Sequence, residues 1–110
     1  MESGEQGSYC PFFHDSIELI GRRWSGAILL ALFAELHRYS DLKAAIPGLS
    51  DRLLTERLKE LETAGLVSRC AETRDVSYGL TEKGRALLPT FDALSAWTAE
   101  WAHDQARVGH

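Results

Sequence analysis

The five residues Ile46-Pro47-Gly48-Leu49-Ser50 constrain this chain more than any other stretch. A Pro-Gly pair makes a tight turn, and here it separates two runs with helical apolar spacing, Ser40 to Ile46 and Ser50 to Ala64. Ser50 suits the N-cap of the second run, and Asp51 suits the positive end of its dipole. Gly65 then suits a left-handed cap beyond its end. The second helix therefore starts where a turn has just fixed its direction.

At about 100° per residue, Leu53, Leu54, Leu58 and Leu61 share one arc of that helix. Arg52, Thr55, Glu56, Lys59 and Thr63 share the opposite arc, which faces outward. Arg57 falls between Leu53 and Leu61, at the edge of the buried arc, where it can snorkel to a phosphate or hold an internal carboxylate. Beyond Gly65, Val67 and Arg69 alternate with Ser68 and Cys70 on one strand. Val76, Tyr78 and Leu80 line one face of the next, with Glu72-Thr73-Arg74-Asp75 as the tip. Helix, turn, outward-facing helix and hairpin predict a winged helix-turn-helix, mainly α with a small β hairpin, which lays its second helix in a DNA major groove. Arg52 and Lys59 are the best donors to guanine or phosphate, with Thr55 and Glu56 beside them able to touch base edges.

The flanks read more simply. Residues 1–9 are short, polar and glycine-containing, and predict a disordered tail. Pro11 fits a first helical turn, and Phe13, Ile17 and Ile20 recur at helical spacing until Gly21. A helix from Trp24-Ser25 to about Leu36 is apolar nearly all round and predicts the central core helix. Arg22 and Arg23 before it are phosphate contacts or a solvated basic turn. His37-Arg38-Tyr39 predicts an edge strand against the hairpin, with Ser40 as the cap of the next helix. The last helix opens with Thr81 as N-cap and runs to about His103, kinked at Pro89, before a tail over 104–110. Leu87, Leu88, Phe91, Leu94, Trp97 and Trp101 give it more apolar surface than so small a body hides. With the stripe of the first helix, this predicts dimerisation helices at both ends; the alternative is packing on the protomer's own core.

The chain has 110 residues and predicts one domain. Its net charge of −4 argues at first against nucleic acid. Residues 35–85, however, hold nine Lys/Arg and nine Asp/Glu, whereas the flanks hold three and seven, so the net acidity lies outside the central stretch. Counterion release depends on which phosphates meet a cation, not on the total. No apolar run reaches the roughly 18 residues of a membrane span and the polar start is no secretion signal, so a cytoplasmic protein is expected. Cys10 and Cys70 predict free thiols. Cys10 opens a helix, which favours the thiolate, while Asp15 and Glu18 oppose it; it is a redox or electrophile switch, or else a plain buried thiol. Cys10 and His14 share a face, but no second ligand pair lies near, so no metal is expected. No nucleophile elbow, phosphate loop or paired-carboxylate site occurs, so neither enzyme chemistry nor a cofactor is expected.

Several segments together resemble, in order and spacing, the HxlR-type transcription regulators, relatives of the MarR group. They are Cys10-Pro11, Gly21-Arg22-Arg23-Trp24, Arg38-Tyr39-Ser40-Asp41-Leu42, Ile46-Pro47-Gly48-Leu49-Ser50, Leu54-Thr55-Glu56-Arg57-Leu58-Lys59-Glu60-Leu61, Gly65-Leu66-Val67 and Tyr78-Gly79-Leu80-Thr81-Glu82-Lys83-Gly84. The likeness spans about residues 10–102. It implies a homodimer held by the first and last helices, through Phe13, Ile17, Ile20, Phe91, Leu94, Trp97 and Trp101, bound to a pseudo-palindromic operator of double-stranded DNA. The expected DNA-facing set is Ser50, Arg52, Thr55, Glu56, Arg57 and Lys59, with Arg38 and Ser40 ahead of the turn and Arg74 on the wing. Some family members carry a thiol at the place of Cys10 that reacts with oxidants or electrophiles, which implies an effector acting on dimer geometry, more in keeping with a repressor than an activator. Two further readings stay open. One is a winged helix that docks proteins without sequence-specific DNA binding. The other is a small-molecule pocket between the dimer helices, lined by Trp24, Trp97 or Trp101.

Overall fold

A computed structural model describes residues 10–71 and 74–108, the side chains as far as residue 102. The expected tail over 1–9 lies outside these. The elements are α1 (Pro11–Ile20), α2 (Ser25–Phe33), α3 (Tyr39–Ala45), α4 (Asp51–Thr63), β1 (Val67–Cys70), β2 (Ser77–Leu80), α5 (Glu82–Arg85) and α6 (Leu88–Val108). The protein is mainly α-helical with one small β hairpin, as the patterning implies.

The α3–α4 connection is a type II turn. Leu49 N donates to Ile46 O across Pro47 and Gly48, and Gly48 has the positive φ, 87°, that this turn demands of its third residue. Ser50 accepts from Leu53 N at 3.1 Å and caps α4. At the other end Gly65, with φ 83°, closes a Schellman motif: Leu66 N donates to Leu61 O and Gly65 N to Glu62 O. Lys83 Nζ adds a charged cap on Ala64 O at 2.9 Å. Both ends of α4 are thus fixed by local chemistry, which aims its exposed face.

Ile28, Leu29 and Leu32 of α2 form the centre of the core, against Leu42 and Ile46, Leu54, Leu58 and Leu61, Val67 and Tyr78. The helix is shorter than its apolar run, and Leu30 remains exposed on its far side. β1 and β2 pair antiparallel with Val67 opposite Leu80 and Arg69 opposite Tyr78. The predicted edge strand is reduced to one bridge, Arg38 to Ser77, flanked by Tyr78 N→His37 O and Tyr39 N→Val76 O. Tyr39 already begins α3, so Ser40 sits inside the first turn and caps nothing; the N-cap residue is Arg38.

Three expectations at the C-terminal end need correction. The chain does not form one helix kinked at Pro89. Thr81 caps the single turn of α5, accepting from Gly84 N at 3.1 Å, and the helix breaks at Ala86-Leu87. Pro89 is then the second residue of α6, where its missing N–H would have had no intrahelical partner. The departure from helical geometry lies instead at Trp101, with φ −109° and ψ 15°. The helix also continues to Val108, beyond the expected end near His103.

Candidate nucleic-acid interface

The outward arc of α4 is where the leucine arithmetic puts it. Arg52, Thr55, Lys59 and Thr63 are exposed and Glu56 is half-buried, while Leu54, Leu58 and Leu61 lie underneath. Arg52 is 79 % exposed and donates to Glu56 Oε2 at 3.0 Å, one helical turn along. Ser50 spends its hydroxyl oxygen as a cap, yet stays at the surface beside the turn. Arg38 and Arg74 are exposed, and Arg38 Nη1 lies 3.7 Å from Asp75 Oδ2 at the base of the wing. Ser40 is exposed in α3. Glu72 and Thr73 of the wing tip lie outside the described residues.

Arg57 does not belong with the groove-facing residues. It is 8 % exposed; its Nε donates to Arg23 O at 3.0 Å and its Nη1 to Glu60 Oε2 at 3.3 Å. Of its two sequence readings the internal carboxylate holds, because a guanidinium between two leucines reaches the corner before α2 sooner than it reaches solvent. Glu60 Oε1 faces Arg22 Nε at 3.5 Å. Arg22 is thus tied to α4, and Arg23 lies over the ring of Trp24, 5.2 Å from its centroid. Trp24 itself has a positive φ of 81° at the start of α2.

Two residues escaped the sequence reading. Tyr39, read as an edge-strand residue, donates its hydroxyl to Asp51 O at 3.1 Å and meets Thr55 Oγ1 at 3.2 Å, tying α3 to the exposed face of α4. Arg69, read only as part of an alternation, opens onto a cleft of about 230 Å3 with Thr55, Lys59, Glu62 and Tyr78. The alternation held the signal: Val67 points into the core, so Arg69 lies on the same face, toward α4.

The apolar stripes divide. Phe13, Ile17, Leu94, Trp97 and Trp101 are exposed, joined by Phe12 and Leu88. Ile20 and Phe91 belong to the protomer's own core instead; Phe91 is buried with its ring 5.4 Å from Phe33, and Ile20 packs against the same cluster. Trp24 lines a groove with Ala27, Leu30 and Pro47, whereas a second groove between α2 and α6 is lined by Leu30, Phe91 and Leu94. Trp97 and Trp101 line neither. Cys10 is exposed, not buried, at the N-cap of α1, with Phe13 N 3.5 Å from its sulfur, and Cys70 is exposed at the end of β1. No helix among the described residues is long and apolar enough to cross a membrane.

Known proteins share this arrangement. The family model described as HxlR-like helix-turn-helix matches residues 19–106. YvaP of Bacillus subtilis (strain 168), an uncharacterised HTH-type transcriptional regulator, is 41 % identical over 99 residues, covering 87 % of this chain and 92 % of that protein. The HTH-type transcriptional regulator YodB of the same organism is 39 % identical over 95 residues, covering 84 % and 85 %. The reduced form of YodB superimposes with a TM-score of 0.74 at 36 % identity, over 86 % of this chain and 95 % of that one. The redox regulator HypR in its oxidised form gives a TM-score of 0.72 at 29 % identity, over 83 % and 96 %. The chain belongs to the HxlR-like helix-turn-helix family of transcriptional regulators.

Proposed function

We propose that this regulator is a homodimeric repressor that binds a pseudo-palindromic operator through two copies of α4 and releases it when an oxidant, electrophile or small ligand alters the dimer. The observation that carries the reading is the face of α4: Arg52, Thr55 and Lys59 stand clear above a leucine base, while a Pro-Gly turn and a glycine cap hold both ends. The exposed apolar residues of α1 and α6 support a two-fold partner, with half-sites about one helical turn, ~34 Å, or a multiple of it apart. Support for the effector class comes from relatives. YodB is known in diamide-treated and quinone-bound forms, and HypR is a redox regulator. An exposed thiol at a helix cap, Cys10, is the candidate acceptor here.

The test is selection of bound sequences from a random duplex pool, followed by titration of the selected site with and without diamide. An inverted repeat should emerge, and diamide should release the wild type but not Cys10→Ser. A pool that yields no repeat sinks the operator reading, and equal release of both proteins retires Cys10. A second reading, protein docking, draws on the pairing of Arg52, Arg38 and Lys43 with carboxylates, which leaves the surface nearly neutral. DNA binding should weaken steeply with salt; docking should not.

A further inference from the structure

The cations around α4 fall into two groups according to what already neutralises them. Arg52 is paired with Glu56, Arg38 with Asp75 and Lys43 with Asp51, while Arg57 is buried between Glu56 and Glu60. Among the described residues, Lys59 and Arg69 pair with no carboxylate. Both open onto the one cleft between α4 and the hairpin. Thr55, Lys59 and Glu62 form a single ridge of α4, since residues three and four apart share a helix face. Arg69 stands across from it, opposite Tyr78 in the strand register. The lone carboxylate of the cleft, Glu62, offsets one cation of the two, which leaves a net charge suited to one monoanion. A phosphodiester is such a group.

We infer that this cleft seats one backbone phosphate of the duplex, gripped by Lys59 and Arg69, and that this clamp supplies the sequence-independent part of the affinity. The inference rests on the DNA-binding reading above. The Arg69 guanidinium offers two N–H donors to two phosphate oxygens, and Lys59 adds a point charge whose geometry is less demanding. Neither has an internal ion pair to break, so engagement releases counterions from the duplex at little cost to the protein. Arg52 is in the opposite position. It must leave a carboxylate at 3.0 Å before it reaches a base, so it engages where a correct base edge replaces Glu56. Affinity and selectivity are thereby assigned to different residues.

The experiment measures operator and scrambled-duplex binding by wild type, Arg69→Gln, Arg69→Lys and Arg52→Ala across a salt series. Arg69 is exposed, so Arg69→Gln should keep the wild-type circular dichroism and melting curve. In Arg69→Gln the slope of log K against log salt should fall in magnitude by about 1 per protomer, hence about 2 per dimer, with both duplexes weakened alike. Arg69→Lys should recover most of the slope. Arg52→Ala should lower the operator-to-scrambled ratio instead. An unchanged slope in Arg69→Gln overturns the clamp, and so does a changed ratio with the slope intact, which would make Arg69 a base reader. Failure of the wild type to bind either duplex removes the DNA reading itself, a result distinct from all of these.

Discussion

Gly65 and Gly84 both stand near the junction of α4, β1 and α5, and they resist substitution for different physical reasons. A Cβ at Gly65 would meet only the side chain of Lys83 at 3.8 Å, so space is free and the obstacle is the backbone, φ 83°. A Cβ at Gly84 would lie 2.1 Å from the carbonyl oxygen of Leu66, which is backbone and cannot swing aside. Gly65→Ala should therefore cost about 1 kcal/mol, the left-handed penalty less the entropy removed from the unfolded chain. Gly84→Ala should cost about 3 kcal/mol, at the upper end of overpacking, because α5 must move off the Leu66 backbone at the entry to β1. Urea denaturation of the two variants decides it; a Gly84→Ala loss no larger than that of Gly65→Ala would mean that α5 is not pressed against the strand. At this scale the sequence was legible where a residue type has one use. The Pro47-Gly48 turn, the Ser50 and Thr81 caps and the Gly65 terminus each stand where their chemistry places them. Arg57 and Ser40 were harder. A guanidinium at the edge of an arc can turn either way, and one serine near a helix start is a cap or a first-turn residue depending on where the preceding bridge ends.

Helices set by strong periodicity could be read to within a residue or two, whereas boundaries set by tertiary contact could not. The range of α4 follows from its leucines and caps. The start of α3 does not, because Tyr39 N is taken by Val76 O, a partner far along the chain. Burial of α2 was legible as an average, but which side remained open depended on where α6 lies. The break between α5 and α6 was the largest miss. Thr81 and Lys83 bond back to Gly65 O and Ala64 O at the corner after α4, and Arg85 Nη1 bonds to Leu80 O at the end of β2 at 2.7 Å; this bonding ends one helix before Pro89 is reached. Pro89→Ala gives a test with a definite sign. A proline inside a helix costs roughly 3 kcal/mol, so its removal would stabilise the protein strongly. A proline in a first turn costs nothing there and restricts the unfolded chain, so Pro89→Ala should destabilise by up to about 1 kcal/mol. Thermal or urea unfolding that shows a gain of stability would restore the single kinked helix.

The whole protomer is more extended than its length requires. Its radius of gyration is 15.9 Å, against about 13 Å for a compact chain of this size, and its extents are 49 × 38 × 23 Å. The excess comes with exposed aromatic surface. Phe12 is 82 % exposed and Trp97 51 %, and with Phe13, Ile17, Leu94 and Trp101 they leave large apolar side chains open to water along both terminal helices, as an interface does. None of these six belongs to the buried core around α2, so charge can be placed there without touching what holds α4. Trp97→Glu should therefore convert a dimer to a monomer in sedimentation equilibrium while leaving the far-UV circular dichroism of a folded protein. The melting temperature of the wild type should rise with protein concentration, and that of the variant should not. Operator binding should weaken sharply in Trp97→Glu, because a single α4 reaches one half-site and forfeits the second. A variant that remains dimeric, or a wild type that sediments as a monomer at every concentration, would show that the aromatic stripes serve something other than pairing, and the two-fold operator would lose its physical basis.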